Sequence, residues 1–194
     1  MRRIQPLPIT VIAASIALLG ACGGGGESTD TAAAIVDTAG RTPATAQAPA
    51  AAQDANHEFL RMMSDHHEGL IAMASPAMTK ASRQTTQGDA HKLHTKQEEE
   101  QKRMVAMIQS SYGESYTPKI IPQHQAMNDS LQAKSGAAYD STFYADVVKH
   151  HQEGIQMIDR FLPQLTNAEV RQMVEKMRTE QTREIEEFQR KMRS

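Results

Sequence analysis

The sequence predicts an all-α protein, a four-helix bundle built from two duplicated helix hairpins that are joined by a long crossover. Residues 59–73 and 143–157 each carry an aromatic residue, a His-His pair and a methionine at the same spacing. The offset of 84 residues continues further along the chain, where Gln97 matches Gln181 without a gap. Such an internal repeat indicates duplication, and no segment shows the alternation expected of strands.

The N-terminus has the pattern of a bacterial lipoprotein leader. Arg2 and Arg3 precede an apolar run over 9–19, which ends in Leu-Gly-Ala before Cys22, the only cysteine of the chain. Residues 1–22 therefore predict a signal peptide with a lipobox, in which Cys22 receives the lipid. The run is too short for an ordinary transmembrane helix, so we expect an exported protein that is lipid-anchored in the cell envelope, at the periplasmic face or the cell surface.

The leader is followed by a segment that has almost no large apolar residues. Residues 23–56 are rich in Gly, Ala, Thr and other small or polar residues, which is typical of a flexible tether. We expect residues 57–194 to form the folded domain, with repeats at about 57–110 and 141–194.

The charge and the cysteine count exclude several functions. The chain carries 21 Lys and Arg against 23 Asp and Glu, without a basic stripe, which argues against a nucleic-acid partner. With Cys22 acylated, no thiolate is left for a disulfide, a cysteine-type zinc site or an iron–sulfur cluster. Any metal ligands must come from His, Met, Glu, Asp or Gln.

Apolar residues at three-and-four spacing predict the first helix of each hairpin, over 59–73 and 143–161. We expect these helices to end near Pro76 and Pro163, because proline does not continue a helix.

The second helix of each hairpin is predicted from a similar stripe. It includes Leu93, Gln97, Glu100, Met104 and Met107 in one copy, and Val174, Met177, Gln181, Glu184 or Ile185, and Phe188 in the other. Thr166 with Glu169 predicts a capping box at the start of the last helix, and Thr86 with Asp89 a weaker one. The crossover, 111–139, contains Gly and Pro and a possible short helix at 123–134.

Polar residues interrupt the apolar stripes at matched positions. His66 lies midway between Phe59 and Met73, and His150 has the same place in the second copy, so both imidazoles should point into the core. Buried polar groups need partners or ligands. We therefore predict a metal site, with candidate ligands His66, His67, His150, His151, Glu100, Glu184, Met63, Met73 and Met157. A purely structural hydrogen-bond network is the alternative.

The ligand types favour copper. Thioether and imidazole donors, outside the cytosol and without thiols, suit copper and Cu(I) in particular. Three other histidines, His91, His94 and His124, do not align between the copies, and we interpret them as surface residues with at most an accessory metal role. Gly69 and Gly154 fall inside helices, where either a close helix approach or room beside the histidines would explain them.

The two blocks resemble a known family of exported bacterial proteins, the domain of unknown function 305. The resemblance covers residues 57–194 and rests on Phe59, Met62, Met63, His66, His67, Ile71, Met73, Gln97 and Glu100, and on Tyr139, Asp140, Phe143, His150, His151, Ile155 and Met157. It implies a ferritin-like four-helix arrangement and, from some members, copper binding.

Together these features predict an envelope lipoprotein that binds a transition metal, with copper favoured, for sequestration, resistance or delivery. One alternative is a non-catalytic structural or interaction module with core histidines. The other is a ferritin-like di-metal redox enzyme, but the Glu-x-x-His pairs of such enzymes do not occur on facing helices here. A non-catalytic role is therefore favoured, and the sequence indicates no particular protein partner.

Overall fold

The computed structural model describes residues 54–193. The predicted leader 1–22, its lipidation site Cys22 and nearly all of the tether lie outside the described residues. The first helix begins at Ala55, where Asp54 accepts a hydrogen bond from the backbone N–H of Asn56 and so caps the helix. The folded part thus starts two residues before the predicted position.

The described chain consists of helices and connecting segments, and no strand occurs between residues 54 and 193. In order, the elements are α1 (Ala55–Lys80), α2 (Gln84–Tyr112), α3 (Pro122–Gln132), α4 (Gly136–Phe161), a 3-10 turn (Leu162–Gln164) and α5 (Ala168–Met192). The prediction of an all-α bundle made of two hairpins is confirmed, and α3 is the short helix expected within the crossover.

The hairpins pack through their first helices. α1 lies along α2 and α4 lies along α5, while α1 also contacts α4 across the bundle. The crossover helix α3 packs against both α1 and α4. This placement brings a segment from outside the two repeats to the centre of the bundle.

Two apolar clusters fill the two ends of the bundle. One contains Leu70 and Met73 of α1 with Phe143 and Val147 of α4. The other contains Phe59, Leu60 and Met63 of α1 with Ile158 and Phe161 of α4. α1 and α4 each contribute residues to both clusters. The residues of these helices that lie between the two clusters form a central layer. That layer is polar, and it contains both His-His pairs.

One proline prediction is wrong and the other is confirmed. α1 does not stop near Pro76 but continues to Lys80. Pro76 removes its own N–H donor from the helix, and one more turn of α1 follows it. α4 ends at Phe161, and Pro163 lies in the 3-10 turn that follows.

Both capping-box predictions are wrong. Asn167, not Thr166, caps α5, since its side-chain oxygen accepts from the N–H groups of Glu169 and Val170. Thr166 is instead held by Asn56 of α1, which donates to its hydroxyl at 3.0 Å. α2 begins at Gln84, so Thr86 lies within the helix.

The turn before α2 is held by a side chain from another helix. The buried carboxylate of Asp140, on α4, accepts from the backbone N–H groups of Ser82 and Arg83 at 2.8 Å each. Because Asp140 is far from this turn in sequence, local spacing does not reveal the contact. Within residues 54–193, no helix has the combination of length and apolarity that crossing a membrane requires.

Candidate metal centre

Three histidines meet at the middle of the bundle. His66 of α1 and His150 of α4 face each other with ring centroids 3.8 Å apart, and His124 of α3 lies 4.9 Å and 4.6 Å from them. Three ring nitrogens, one from each residue, lie within 4.8 Å of one another. This spacing is close enough for all three to bind one metal ion. All three side chains are buried. We call these residues the histidine trio.

The trio combines a repeated feature with a single one. His66 and His150 point inward, as the apolar periodicity predicts, with exposures of 2% and 0%. The interpretation of His124 as a surface residue is wrong, because it is fully buried. Of the other two histidines interpreted as surface residues, His91 is exposed and His94 is half-buried.

Gly69 makes room for His124. A β-carbon built on Gly69 would lie 2.2 Å from Nδ1 and 2.8 Å from Cβ of His124, so any other residue would displace this side chain. The predicted explanation for the glycine inside α1, room beside a histidine, is therefore correct. The helix accepts the low intrinsic propensity of glycine at this position because α3 packs there.

Two members of the trio have one ring nitrogen in contact with an oxygen atom outside the trio. His150 donates its Nε2–H to the backbone carbonyl of His66 at 2.9 Å. His124 Nε2 lies 3.2 Å from a carboxylate oxygen of Glu153. Their Nδ1 atoms have no hydrogen-bond partner, and neither ring nitrogen of His66 has one. Buried polar nitrogens without partners are uncommon, and a bound ion is one way to satisfy them.

The protonation of the trio favours metal binding. Burial lowers the pKa of both His66 and His150 well below 6.5, and the neighbouring histidines lower it further. Burial also lowers the pKa of His124, although Glu153 opposes this shift. The imidazoles are therefore neutral at pH 7, the state in which a ring nitrogen can donate its lone pair to a metal.

The second histidine of each pair has a different partner. His67 Nε2 lies 2.9 Å from a carboxylate oxygen of Glu100, and His151 Nε2 lies 2.9 Å from one of Glu184. The four residues are candidate ligands from the sequence, but the structure joins them as two histidine–carboxylate pairs beside the trio. The duplication predicts this equivalence.

Glu184 also contacts a cation. Lys96 Nζ lies 2.9 Å from Glu184 and 2.6 Å from Glu180, which links α2 to α5. Burial would raise the pKa of Glu184, but His151 and Lys96 outweigh it and lower the pKa to about 2. This carboxylate is thus ionised and already paired on both sides.

The three candidate methionine ligands pack in the apolar clusters. Met63 lies in the cluster with Phe59, and Met73 lies in the cluster with Phe143. Met157 is half-buried against the Met63 cluster. These positions lie on either side of the polar layer, so core packing accounts for all three.

His124 was missed, although the sequence contains a signal for it. His124, Met127 and Leu131 lie at three-and-four spacing in the short helix, and all three are buried. This stripe marks the face of α3 that packs on α1 and α4. An alignment of the two repeats does not reveal this stripe, because the crossover lies outside both repeats.

Fold and site together define a class of protein: a duplicated helical bundle with a buried cluster of three histidines at its centre. The sequence matches the family described as Domain of unknown function (DUF305) over residues 23–108 and again over residues 56–192. The chain belongs to this family. Among curated proteins, none matches the sequence.

Solved structures share this fold. A DUF305 fragment from Deinococcus radiodurans is 20% identical, with a TM-score of 0.64 over 71% of this chain and 95% of that one. CopM in its Cu(II)-bound form is 22% identical, with a TM-score of 0.62 over 71% of this chain and 95% of that one. A putative secreted DUF305 protein from Streptomyces coelicolor is 16% identical, with a TM-score of 0.62 over 70% of this chain and 90% of that one.

Proposed function

We propose that this protein is an exported, lipid-anchored protein that binds a transition metal, with copper favoured, for sequestration, resistance or delivery. The observation that carries the proposal is the histidine trio, in which four buried ring nitrogens have no hydrogen-bond partner. Leaving a buried polar group unsatisfied costs about 1–3 kcal/mol, and a bound metal ion would satisfy one nitrogen from each residue.

The donor set fits a metal. His124 and His150 would bind it through Nδ1, because their Nε2 atoms already contact Glu153 and the His66 carbonyl. Metal-binding histidines usually donate their other ring N–H to a carboxylate or a carbonyl, which orients the ring and fixes its tautomer. Two histidines of the trio have this arrangement.

Several features favour copper. Imidazole ligands suit copper as well as zinc, iron and nickel, so the trio alone does not choose between them. The predicted export of the chain, without a free thiol, favours copper chemistry. CopM, a structural relative of the same fold, has been solved in Cu(II)-bound, Cu(I)-bound and silver-bound forms.

The envelope location rests on the leader. The apolar run before Cys22 and the lipobox ending in that residue support lipid attachment, and the small, polar tether that follows would hold the bundle away from the membrane surface. A bundle held in this way could capture metal ions outside the cytosol.

A titration tests the proposal. Purified protein is titrated with Cu(I) held reduced, Cu(II), Zn(II) and Fe(II), beside His66→Ala, His124→Ala and His150→Ala, with the exposed His91→Ala as the control. We expect micromolar or tighter copper binding that each trio variant weakens and the control retains. Absence of such binding for every metal, or equal binding by all variants, would rule out the proposed site.

The two alternatives predict other results. A structural module would lose stability in the trio variants without responding to any metal. A di-metal redox enzyme would bind Fe(II) tightly and then consume oxygen, but it needs carboxylates in the metal site. Glu100 and Glu184 are instead paired with His67 and His151, and this observation favours a binding protein.

A further inference from the structure

The three histidines of the trio differ in whether a ring nitrogen has a hydrogen-bond partner. His150 uses its Nε2 to donate to a backbone carbonyl, and His124 uses its Nε2 to contact Glu153. His66 has neither ring nitrogen bonded, although it is 2% exposed. If one of these nitrogens faces a metal, the other must carry a proton and needs an acceptor.

A buried amide beside His66 also has no partner. Gln181 of α5 is 2% exposed, and neither its Oε1 nor its Nε2 makes a hydrogen bond. A β-carbon built on Gly154 would lie 2.7 Å from Gln181 Oε1 and 3.1 Å from His66 Cε1. Both atoms therefore border the same space over Gly154, and Cε1 is the ring atom bonded to both nitrogens of His66.

We propose that Gln181 is a positioning residue of the metal site, whose amide oxygen accepts the N–H of the His66 ring nitrogen that does not face the metal. This inference rests on the proposed function. The bond fixes one tautomer of His66 and so presents the other nitrogen to the space shared with His124 and His150. With this bond, each histidine of the trio has an acceptor for the ring N–H that does not face the metal.

Gly154 is part of this arrangement. A side chain at this position would meet Gln181 Oε1 at 2.7 Å and drive the amide away from His66. The equivalent position in the first repeat is Leu70, so the first copy has no matching space. The glycine inside α4 is explained by the approach of Gln181 and His66, as the sequence suggested.

The duplication supplies a matched control. Gln97 is the repeat counterpart of Gln181 and is equally buried, with an exposure of 1%. His150, the repeat counterpart of His66, already has an acceptor in the His66 carbonyl. Removing the Gln97 amide should therefore leave the metal site unchanged, although it alters a core position of the same chemistry and burial.

The test compares Gln181→Leu, Gln97→Leu and Gln181→Glu with the wild type. Nitrogen-15 NMR of the metal-free protein reports the tautomer of His66, and competition with a chelator gives the Cu(I) affinity. We expect Gln181→Leu to yield mixed His66 tautomers and a Cu(I) affinity lower by about 10- to 100-fold. Gln97→Leu should change neither, and Gln181→Glu, which keeps an acceptor oxygen, should restore the single tautomer.

X-ray absorption at the copper edge separates positioning from coordination. An unchanged number of nitrogen and oxygen donors in Gln181→Leu supports a positioning role, whereas loss of one donor would make Gln181 a direct ligand and overturn the inference. Equal effects of Gln97→Leu and Gln181→Leu, or wild-type behaviour of Gln181→Leu, would also overturn it. If the wild type binds no metal, the proposed function fails, and the inference fails with it.

Discussion

His150 donates a hydrogen bond from its ring to the backbone carbonyl of His66, at 2.9 Å, although the two residues occupy equivalent positions of a duplicated sequence. The relation is not reciprocal, since both ring nitrogens of His66 have no hydrogen-bond partner. The two copies therefore have different roles in one shared site. The asymmetry extends to the third histidine, His124, which packs against Gly69, whereas the repeat counterpart of Gly69 is Glu153.

Gly69→Ala should displace His124. The new methyl group would lie 2.2 Å from His124 Nδ1, so α3 or the imidazole must move. We expect the free energy of unfolding to fall by about 1–3 kcal/mol and metal binding to weaken. Urea denaturation and metal titration measure the two effects.

Gly88→Ala is the matched control, because nothing lies within 4 Å of a β-carbon there and the residue is inside α2. It should stabilise the protein by about 0.5–1 kcal/mol. Equal destabilisation by both substitutions would contradict the role given to Gly69.

Metal binding should raise the melting temperature. A ligand that binds only the folded state stabilises it by about 2.7 kcal/mol at a free concentration 100 times its Kd. Thermal unfolding with and without buffered copper measures the increment. His66→Ala and His150→Ala should abolish it, while His91→Ala, at an exposed position, should keep it.

Stability of the metal-free protein should decrease below about pH 6.5. The pKa of His66 and that of His150 are lowered in the folded state, so the unfolded chain binds more protons as the pH falls through 6.5 toward the folded values. Their contribution is fully present above pH 6.5 and is lost progressively on acidification. Denaturant titrations at a series of pH values, with a chelator present, would detect it.

The matched variants for this pH dependence are His66→Gln and His150→Gln, which keep a polar side chain but do not titrate. Each should flatten the slope between pH 6.5 and 5, whereas His91→Gln should not. A slope that persists when both core histidines are replaced would show that other groups cause it.

Asp140→Ala should destabilise the start of α2. The buried carboxylate accepts from the N–H groups of Ser82 and Arg83, and these donors would have no partner without it. Because hydrogen bonds to charged groups are worth about 1.5–3 kcal/mol, we expect a loss of about 2–3 kcal/mol. Asp129→Ala, at an exposed site on α3, should change stability by less than about 0.5 kcal/mol.

Cys22→Ser should abolish lipid attachment, because the thiol is the acylation site of a lipobox. Membrane fractionation after a salt wash measures the result, with the wild type retained in the pellet and the variant released. A serine variant that stays with the membrane would exclude the predicted anchor.

The local pattern of residues is sufficient to predict the helices and the duplication. Apolar spacing reports which face of a helix is buried, so it identifies His66 and His150 as core residues without knowledge of their neighbours. It fails at Pro76, which α1 passes, and at both capping boxes. At the capping boxes distant residues intervene: Asn56 holds Thr166, and Asp140 binds the backbone of the turn before α2.

The sequence by itself determined the class of the fold, the repeated hairpins and the inward position of two histidines, because helical periodicity is a property of neighbouring residues. Only the tertiary structure decided that His124 lies beside His66 and His150, that His67 and His151 pair with glutamates, and that the candidate methionines pack in the apolar clusters. These relations depend on where the crossover helix lies across α1 and α4. Such a placement arises from long-range packing, including the space at Gly69, which no local spacing encodes.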